Sequence, residues 1–366
     1  MVSISIVTSG HDVADARLHR QVAALERAGL RVEVLGLGDP AAGPPEATVR
    51  AWVRRGGVVR AWRAMTLPWR AEGAVIVTLD PDAAVGALVC RALRRLVPGV
   101  RRIRTVADVH EDYLLLLQDR TWARGLRRPV ARLFARAGMA AARRADLTVV
   151  ADDGLLRGAP RRVVLRNLPD PSMLPAPSDP DPRPRAIYIG DLRRSRGLFA
   201  MLDAVADAPG WELDLVGPVA AEDRREAQAR LADPGLADRV RWHDRLAPRE
   251  AWAIARGAWV GLLLLDDTPA FRLAVPSKLF EYLACGLAVL ATPLPRVAEM
   301  LAATGAGVVV EDPSGAAEQL RRWSSRPEDL VSLRASALDG VGRSPGETGQ
   351  FVRACRELCD LHGEPQ

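Results

Sequence analysis

A chain of 366 residues is longer than one ordinary hydrophobic core supports, so two domains are expected. With 48% hydrophobic and 26% charged residues it reads as globular, and no run approaches the roughly 20 apolar residues of a membrane span. A net charge of +6 favours anionic partners, while five Phe and three Tyr offer few stacking platforms, which weighs against a nucleic-acid reader.

The chain starts directly on a β-branched run, residues 3–8, that meets a turn at Ser9-Gly10. No signal peptide precedes it, so a cytoplasmic protein is expected. A helix pattern follows with Leu18, Val22 and Leu25 on one face and Gly29 as its stop, then a second strand at residues 30–35. Tryptophan and arginine interleave next, in Arg50-Ala51-Trp52-Val53-Arg54-Arg55, Arg60-Ala61-Trp62-Arg63 and Trp69-Arg70. Two readings stand side by side here. One is contact with an anionic membrane surface, at the inner face of a plasma membrane, suited to a lipid-linked acceptor. The other is an irregular helix pair with core-facing tryptophans and solvated arginines. Strands at residues 74–79, 103–109 and 147–151, with a helix at 83–97, complete an alternation that predicts a doubly wound parallel sheet in a first domain, residues 1–166.

Residues 167–184 carry too many prolines for helix or strand and read as an interdomain linker. Alternation restarts at 186–189, 212–216, 260–265 and 288–291, giving a second Rossmann-like domain at residues 185–340. Residues 341–366 form a helical tail expected to cross back to the first domain. Cys90 and Cys285 lie in apolar helix patterns and read as small core residues. Cys355, Cys359 and His362 are spaced along one helix but lack a fourth ligand, so no metal is expected.

Ligands of such sheets bind beyond the carboxyl ends of the strands. Three such ends in the second half carry suitable groups. Gly190-Asp191-Leu192-Arg193-Arg194-Ser195-Arg196-Gly197 combines free amides with guanidinium groups, an anion site in the making. Asp266-Asp267-Thr268 follows an apolar strand and either faces hydroxyls of ribose or substrate or caps a loop. The third carries the chain's one lysine, against fifty arginines. Lys278 opens a helix pattern with Glu281 on the same face and Leu279, Phe280 and Leu283 on the buried side, an ammonium for phosphate and a carboxylate for ribose. Thr292-Pro293 and Glu299 are expected to shape a pocket wall.

The run from Pro276 to Thr292, PSKLFEYLACGLAVLAT, resembles the donor-binding signature of the family 4 retaining glycosyltransferases of the GT-B fold. Residues 188–192 with Arg196-Gly197-Leu198, the crossing at 164–170, Asp15-Ala16-Arg17-Leu18, and Asp108-Val109-His110-Glu111 resemble further segments of that family. The resemblance implies an α/β protein of GT-B type, two Rossmann-like domains facing each other across a cleft. It implies transfer of a sugar from a UDP- or GDP-sugar to a glycan or lipid-linked glycan, as in polysaccharide biosynthesis, with retention and without metal or cofactor. Carried over residue by residue, Gly190, Arg193, Arg196 and Lys278 would hold the diphosphate, Glu281 the ribose, and His110 with Glu281 would be catalytic. Gly10, His11, Asp15, Arg17, Asp108, Glu111 and Asp266 would contact sugar or acceptor. Leu273 stands where relatives carry an acid and Asp191 where many carry arginine, which also admits a non-catalytic nucleotide-binding scaffold. A nucleotide-sugar epimerase of the same fold fits less well, because it needs carboxylates near the sugar.

Overall fold

In the computed structural model, residues 2–117, 128–273, 275–339 and 346–363 are described. The chain divides into two compact units, Met1–Asn167 with Ser344–Gln366, and Leu168–Arg343.

The first unit runs β1 (Ile4–Asp12), α1 (Ala16–Arg27), β2 (Val32–Leu37), β3 (Thr48–Trp52), α2 (Gly57–Arg70), β4 (Val75–Thr78), α3 (Pro81–Leu96), β5 (Arg104–Val109), α4 (Tyr113–Leu116), α5 (Arg128–Arg144), β6 (Leu147–Val150) and β7 (Arg162–Val164). Its all-parallel sheet has the order β3-β2-β1-β4-β5-β6-β7. The central strands are apolar on both faces: Ile4, Ile6, Val75 and Val77 pack with α1 on one side, and Val7 and Ile76 pack with α2 and α3 on the other. Asp15 caps α1 by accepting from the amides of Arg17 and Leu18. β1 continues past residue 8 to Asp12, with a register break after Val7 that carries its end out of the regular ladder.

The second unit runs β8 (Arg185–Ile189), α6 (Leu198–Ala206), β9 (Glu212–Val216), α7 (Arg224–Leu231), β10 (Val240–His243), α8 (Pro248–Ala253), β11 (Val260–Leu263), α9 (Pro269–Leu273), α10 (Ser277–Ala284), β12 (Ala288–Ala291), α11 (Pro295–Thr304), β13 (Gly307–Val309), α12 (Pro313–Ser325) and α13 (Pro327–Asp339). Its sheet, also parallel, has the order β10-β9-β8-β11-β12-β13. In both units the order reverses beside the first strand, between β1 and β4 and between β8 and β11, the switch points where open sheets leave a crevice.

Two expectations are corrected, and the proline-rich stretch read as an interdomain linker is found strapped onto the second unit. The Arg334 guanidinium donates to the carbonyls of Ser178 and Ala258, Trp259 Nε1 donates to Asp181 O, and Met173 is buried. The Trp/Arg region is not a helix pair but an edge strand, β3, followed by α2. Trp52 packs inward, whereas Trp62 and Trp69 face outward. On α10, Tyr282 rather than Phe280 fills the core, with its hydroxyl donating to Ile187 O. The last helix, α14 (Gly346–Gly363), packs Phe351, Cys355 and Leu358 into the first unit's core; the side chain of His362 lies outside the described residues.

Candidate active site

At the switch point of the second unit, β8 ends in Gly190 at φ +136°, a conformation that favours glycine. A Cβ there would lie 2.5 Å from Lys278 Cε and 2.6 Å from its Nζ, so the bare glycine lets the ammonium rest on the backbone. Gly217, at the end of β9, has the same φ, and a Cβ on it would come within 2.2 Å of Gly190 O. Gly197 (φ +79°) abuts the carbonyl of Leu264 beyond β11, and Asp266 N donates to Ser195 O. The loop after β8 is thereby pinned to the end of β11, the strand that leads to the Lys278 helix.

Lys278, the second residue of α10, sits with Nζ 5.4 Å from the centre of the buried Tyr188 ring, whose hydroxyl donates to Asp191 O. Arg193 reaches Asp191 at 3.2 Å and Arg245 reaches it at 3.6 Å. Burial works against charge on Asp191, but Arg196, then Arg193, Arg245 and Lys278, outweigh it and hold the carboxyl below its ordinary range. Four cations thus gather about one carboxylate beside a glycine turn. Arg194 points elsewhere, stacked on Phe199.

Glu281 lies one turn along α10 from Lys278 and is buried; with burial itself, its carboxylate pushes the Cys285 thiol up to about 12. Thr292 donates to Leu265 O and so ties the end of β12 to that of β11. Pro293 is exposed beside it, and Asp266 is exposed at the end of β11. Glu299 is drawn off to a surface pair with Arg296 on α11, and its 77% exposed carboxylate forms no wall. Leu273 is exposed at the end of α9.

At the switch point of the first unit the organising group is Asp80, just beyond β4. It accepts from Thr8 Oγ1 and from the amides of Ser9 (2.9 Å) and Gly10 (3.1 Å), and it pairs with His11 at 3.0 Å and Arg60 at 3.3 Å. Arg60 also pairs with Asp82 at 2.9 Å. Burial disfavours the His11 imidazolium, yet Asp80 above all, with Asp15, pushes its pKa up to about 9. The His11 and His110 rings lie 5.4 Å apart. His110 bonds Asp108 at 3.0 Å, and Asp108 is gripped by Arg17 at 2.7 and 2.8 Å and by Gln21. Asp15 keeps its charge despite burial because His11 and His110 face it. Glu111 is exposed.

Two of the expected contact residues change role. Arg17 and Asp108 are buried and spent on one another, with the remaining Arg17 nitrogen donating to Leu165 O. They can orient His110 but are closed to a ligand. Conversely, Asp80, Arg60 and Arg245 escaped the sequence reading. Asp80 had a signal: an acid immediately after a β-branched strand and before a helix-starting proline, where a strand-end ligand belongs.

Residues 183–326, most of the second unit, match the family model described as "Glycosyl transferases group 1". Among solved structures the chain resembles sucrose-phosphate synthase from Thermosynechococcus elongatus, with 16% identity, a TM-score of 0.74, and 99% of this chain and 100% of that one covered. It also resembles Anabaena HepE in complex with UDP and glucose, at 15% identity, TM-score 0.65 and 99% of each chain. A third likeness is to WaaG, a glycosyltransferase involved in lipopolysaccharide biosynthesis, at 14% identity, TM-score 0.64, covering 99% of this chain and 100% of that. No curated protein matches the chain in sequence. The fold is therefore α/β of the GT-B class, and the second unit is similar to the group 1 glycosyl transferases over the residues that the family model matches.

Proposed function

We propose that the protein is a retaining glycosyltransferase that takes a UDP- or GDP-sugar as donor and a glycan or lipid-linked glycan as acceptor, in the cytoplasm. The observation that carries the reading is the ammonium of Lys278 seated on Gly190, with Arg193, Arg196 and Arg245 about Asp191. A cluster of cations at a strand-end glycine turn suits a diphosphate. HepE, a neighbour in fold, has been captured with UDP-glucose, which supports a nucleotide-sugar donor here.

In the transfer, the bond between the anomeric carbon and the diphosphate oxygen breaks while a bond to the acceptor oxygen forms. The leaving diphosphate gains charge, and Lys278 and the arginines stabilise it; the acceptor's proton passes to that diphosphate or to water. Side-chain cations do here what a divalent ion does elsewhere, so no metal is assigned. Glu281 is assigned to the ribose. His110, oriented by Asp108, is assigned to the donor sugar, with His11, Asp15 and Gly10 on the acceptor side.

Thermal-shift titration with UDP, GDP and their sugar conjugates tests the donor assignment. A specific rise in Tm is expected for one nucleotide, and Lys278→Ala should abolish it while leaving the unliganded Tm in place. Retained nucleotide binding in Lys278→Ala overturns the phosphate assignment. Transfer or hydrolysis of a labelled sugar nucleotide by the intact chain separates an enzyme from a scaffold.

A further inference from the structure

We infer that the outer face of α2 and α3 is a docking surface for an anionic lipid bilayer. On α2, Val58, Trp62, Met65 and Trp69 recur at helical spacing on the side away from the sheet, and Trp62 remains 57% exposed. On α3, Val89, Leu93 and Leu96 do the same, with Leu96 77% exposed. Inward positions of the same helices, Ala64, Leu67, Ala87 and Cys90, are buried, so the outward apolar residues are a second stripe rather than core.

The two stripes adjoin. A Cβ on Gly86 would lie 2.0 Å from Ala64 O, Cys90 donates to Pro68 O, and Arg94 donates to Trp69 O. These contacts advance together along both helices, which therefore lie side by side and parallel at close approach. Isolated exposed apolar residues need no explanation; a two-helix patch with tryptophans does.

Charge selects the partner. The sole acid on either helix is Asp82, and it is occupied by Arg60. Arg63, Arg70, Arg94 and Arg95 flank the stripes, and the guanidinium groups of Arg70 and Arg94 lie 6.0 and 5.7 Å from the rings of Trp62 and Trp69. α5, packed on α3, continues the pattern with Leu133 and Phe134 exposed and no acid in its 17 residues. A second copy of this face would bring arginines against arginines, which disfavours self-association. Indole rings that sit at headgroup depth, apolar side chains below them and guanidinium groups against phosphates are what an anionic interface rewards. This assignment does not depend on the donor site in the other unit.

The test is sedimentation of the intact protein with vesicles of phosphatidylcholine alone or carrying about 30% phosphatidylglycerol, at low and high salt. Binding is expected only with the anionic lipid and should weaken with salt. The pair Trp62→Ser/Leu93→Ser and the pair Arg70→Glu/Arg95→Glu should each lower partitioning by about tenfold or more, with melting unchanged because all four sites are exposed. Brominated acyl chains should quench tryptophan emission in the wild type and lose most of that quenching in Trp62→Phe/Trp69→Phe. No binding at low salt, or binding that neither pair alters, overturns the proposal. Heparin binding as tight as vesicle binding, together with indifference to Trp62→Ser/Leu93→Ser, overturns it in favour of a soluble polyanion.

Discussion

The two switch points share a strand order and differ in their charge balance. In the second unit, four cations surround Asp191 and the chain turns on glycines at positive φ. In the first, the cations lie directly against carboxylates: His11 and Arg60 both face Asp80, Arg60 also faces Asp82, and Arg17 grips Asp108, which His110 bonds as well. Topology fixes where a crevice falls; side-chain charge decides whether that crevice is complete without a ligand. The loop of the second unit gathers cations about one carboxylate, as the proposed diphosphate site requires, whereas the loop of the first holds its geometry with its own groups. Nucleotide should therefore raise hydrogen-exchange protection at residues 190–197 and leave residues 8–11 unchanged.

The sharpest break of the comparison is Arg17→Met. It strands a buried carboxylate, and such losses cost about 3–5 kcal/mol. Urea denaturation should show a fall of that order, and a change below about 1 kcal/mol would mean the pair is not the first unit's anchor. Gly190→Ala comes next: strain at φ +136° and a clash with Lys278 should cost about 1–3 kcal/mol and remove the nucleotide-induced Tm rise. Arg245→Ala should do the reverse of Arg17→Met. Exposed and 3.6 Å from Asp191, it should leave stability within about 0.5 kcal/mol yet weaken nucleotide affinity by about tenfold. Equal affinity in Arg245→Ala would remove that residue from the phosphate set.

Legibility in the sequence followed the same division. The glycine turn after β8 and the Lys278 helix were readable because their signals are contiguous: glycines, arginines and a helix start close after a strand. The central strands were readable for a related reason, since residues buried on both faces leave unbroken apolar runs such as 288–291. Edge strands were not. β3 carries Arg50 and Trp52, β10 reads Val-Arg-Trp-His, and β7 and β13 are three residues each, so none shows the run that marks a buried strand. Missing β10 also hid Arg245, which lies just beyond its end. The network of the first unit depends on partners about 70 to 90 residues apart, Thr8 with Asp80 and Arg17 with Asp108, which no local pattern announces. Prolines marked residues 167–184 as neither helix nor strand, but the straps that hold them come from Trp259 and Arg334, far along the chain.

The smallest expected effect tests whether the first unit's site is charge-balanced in the protonation state described. His11 is held protonated up to about pH 9 by Asp80, against about 6.5 for a free imidazole. A group whose pKa is raised on folding contributes fully below its unfolded value, and that contribution fades as pH climbs through its folded value. Stability owed to His11 is thus complete below about pH 6.5 and gone above about pH 9, worth about 1 kcal/mol once solvent screening at a partly exposed ring is allowed for. The depressed carboxyls of Asp15, Asp80 and Asp108 act in the opposite direction and in a different window, losing their contribution only as acid is added below about pH 4. A stability profile should therefore slope downward from near pH 6.5 in the wild type and be flatter in His11→Gln. NMR titration of the His11 ring gives the direct value: near 9 in the wild type, and below the free value in Asp80→Asn, where burial and Arg60 remain and the main counter-charge does not. An Asp80→Asn protein whose His11 still titrates near 9 would show that Asp80 is not what holds the proton, and the contrast between the two switch points would then rest on the Arg17–Asp108–His110 set alone.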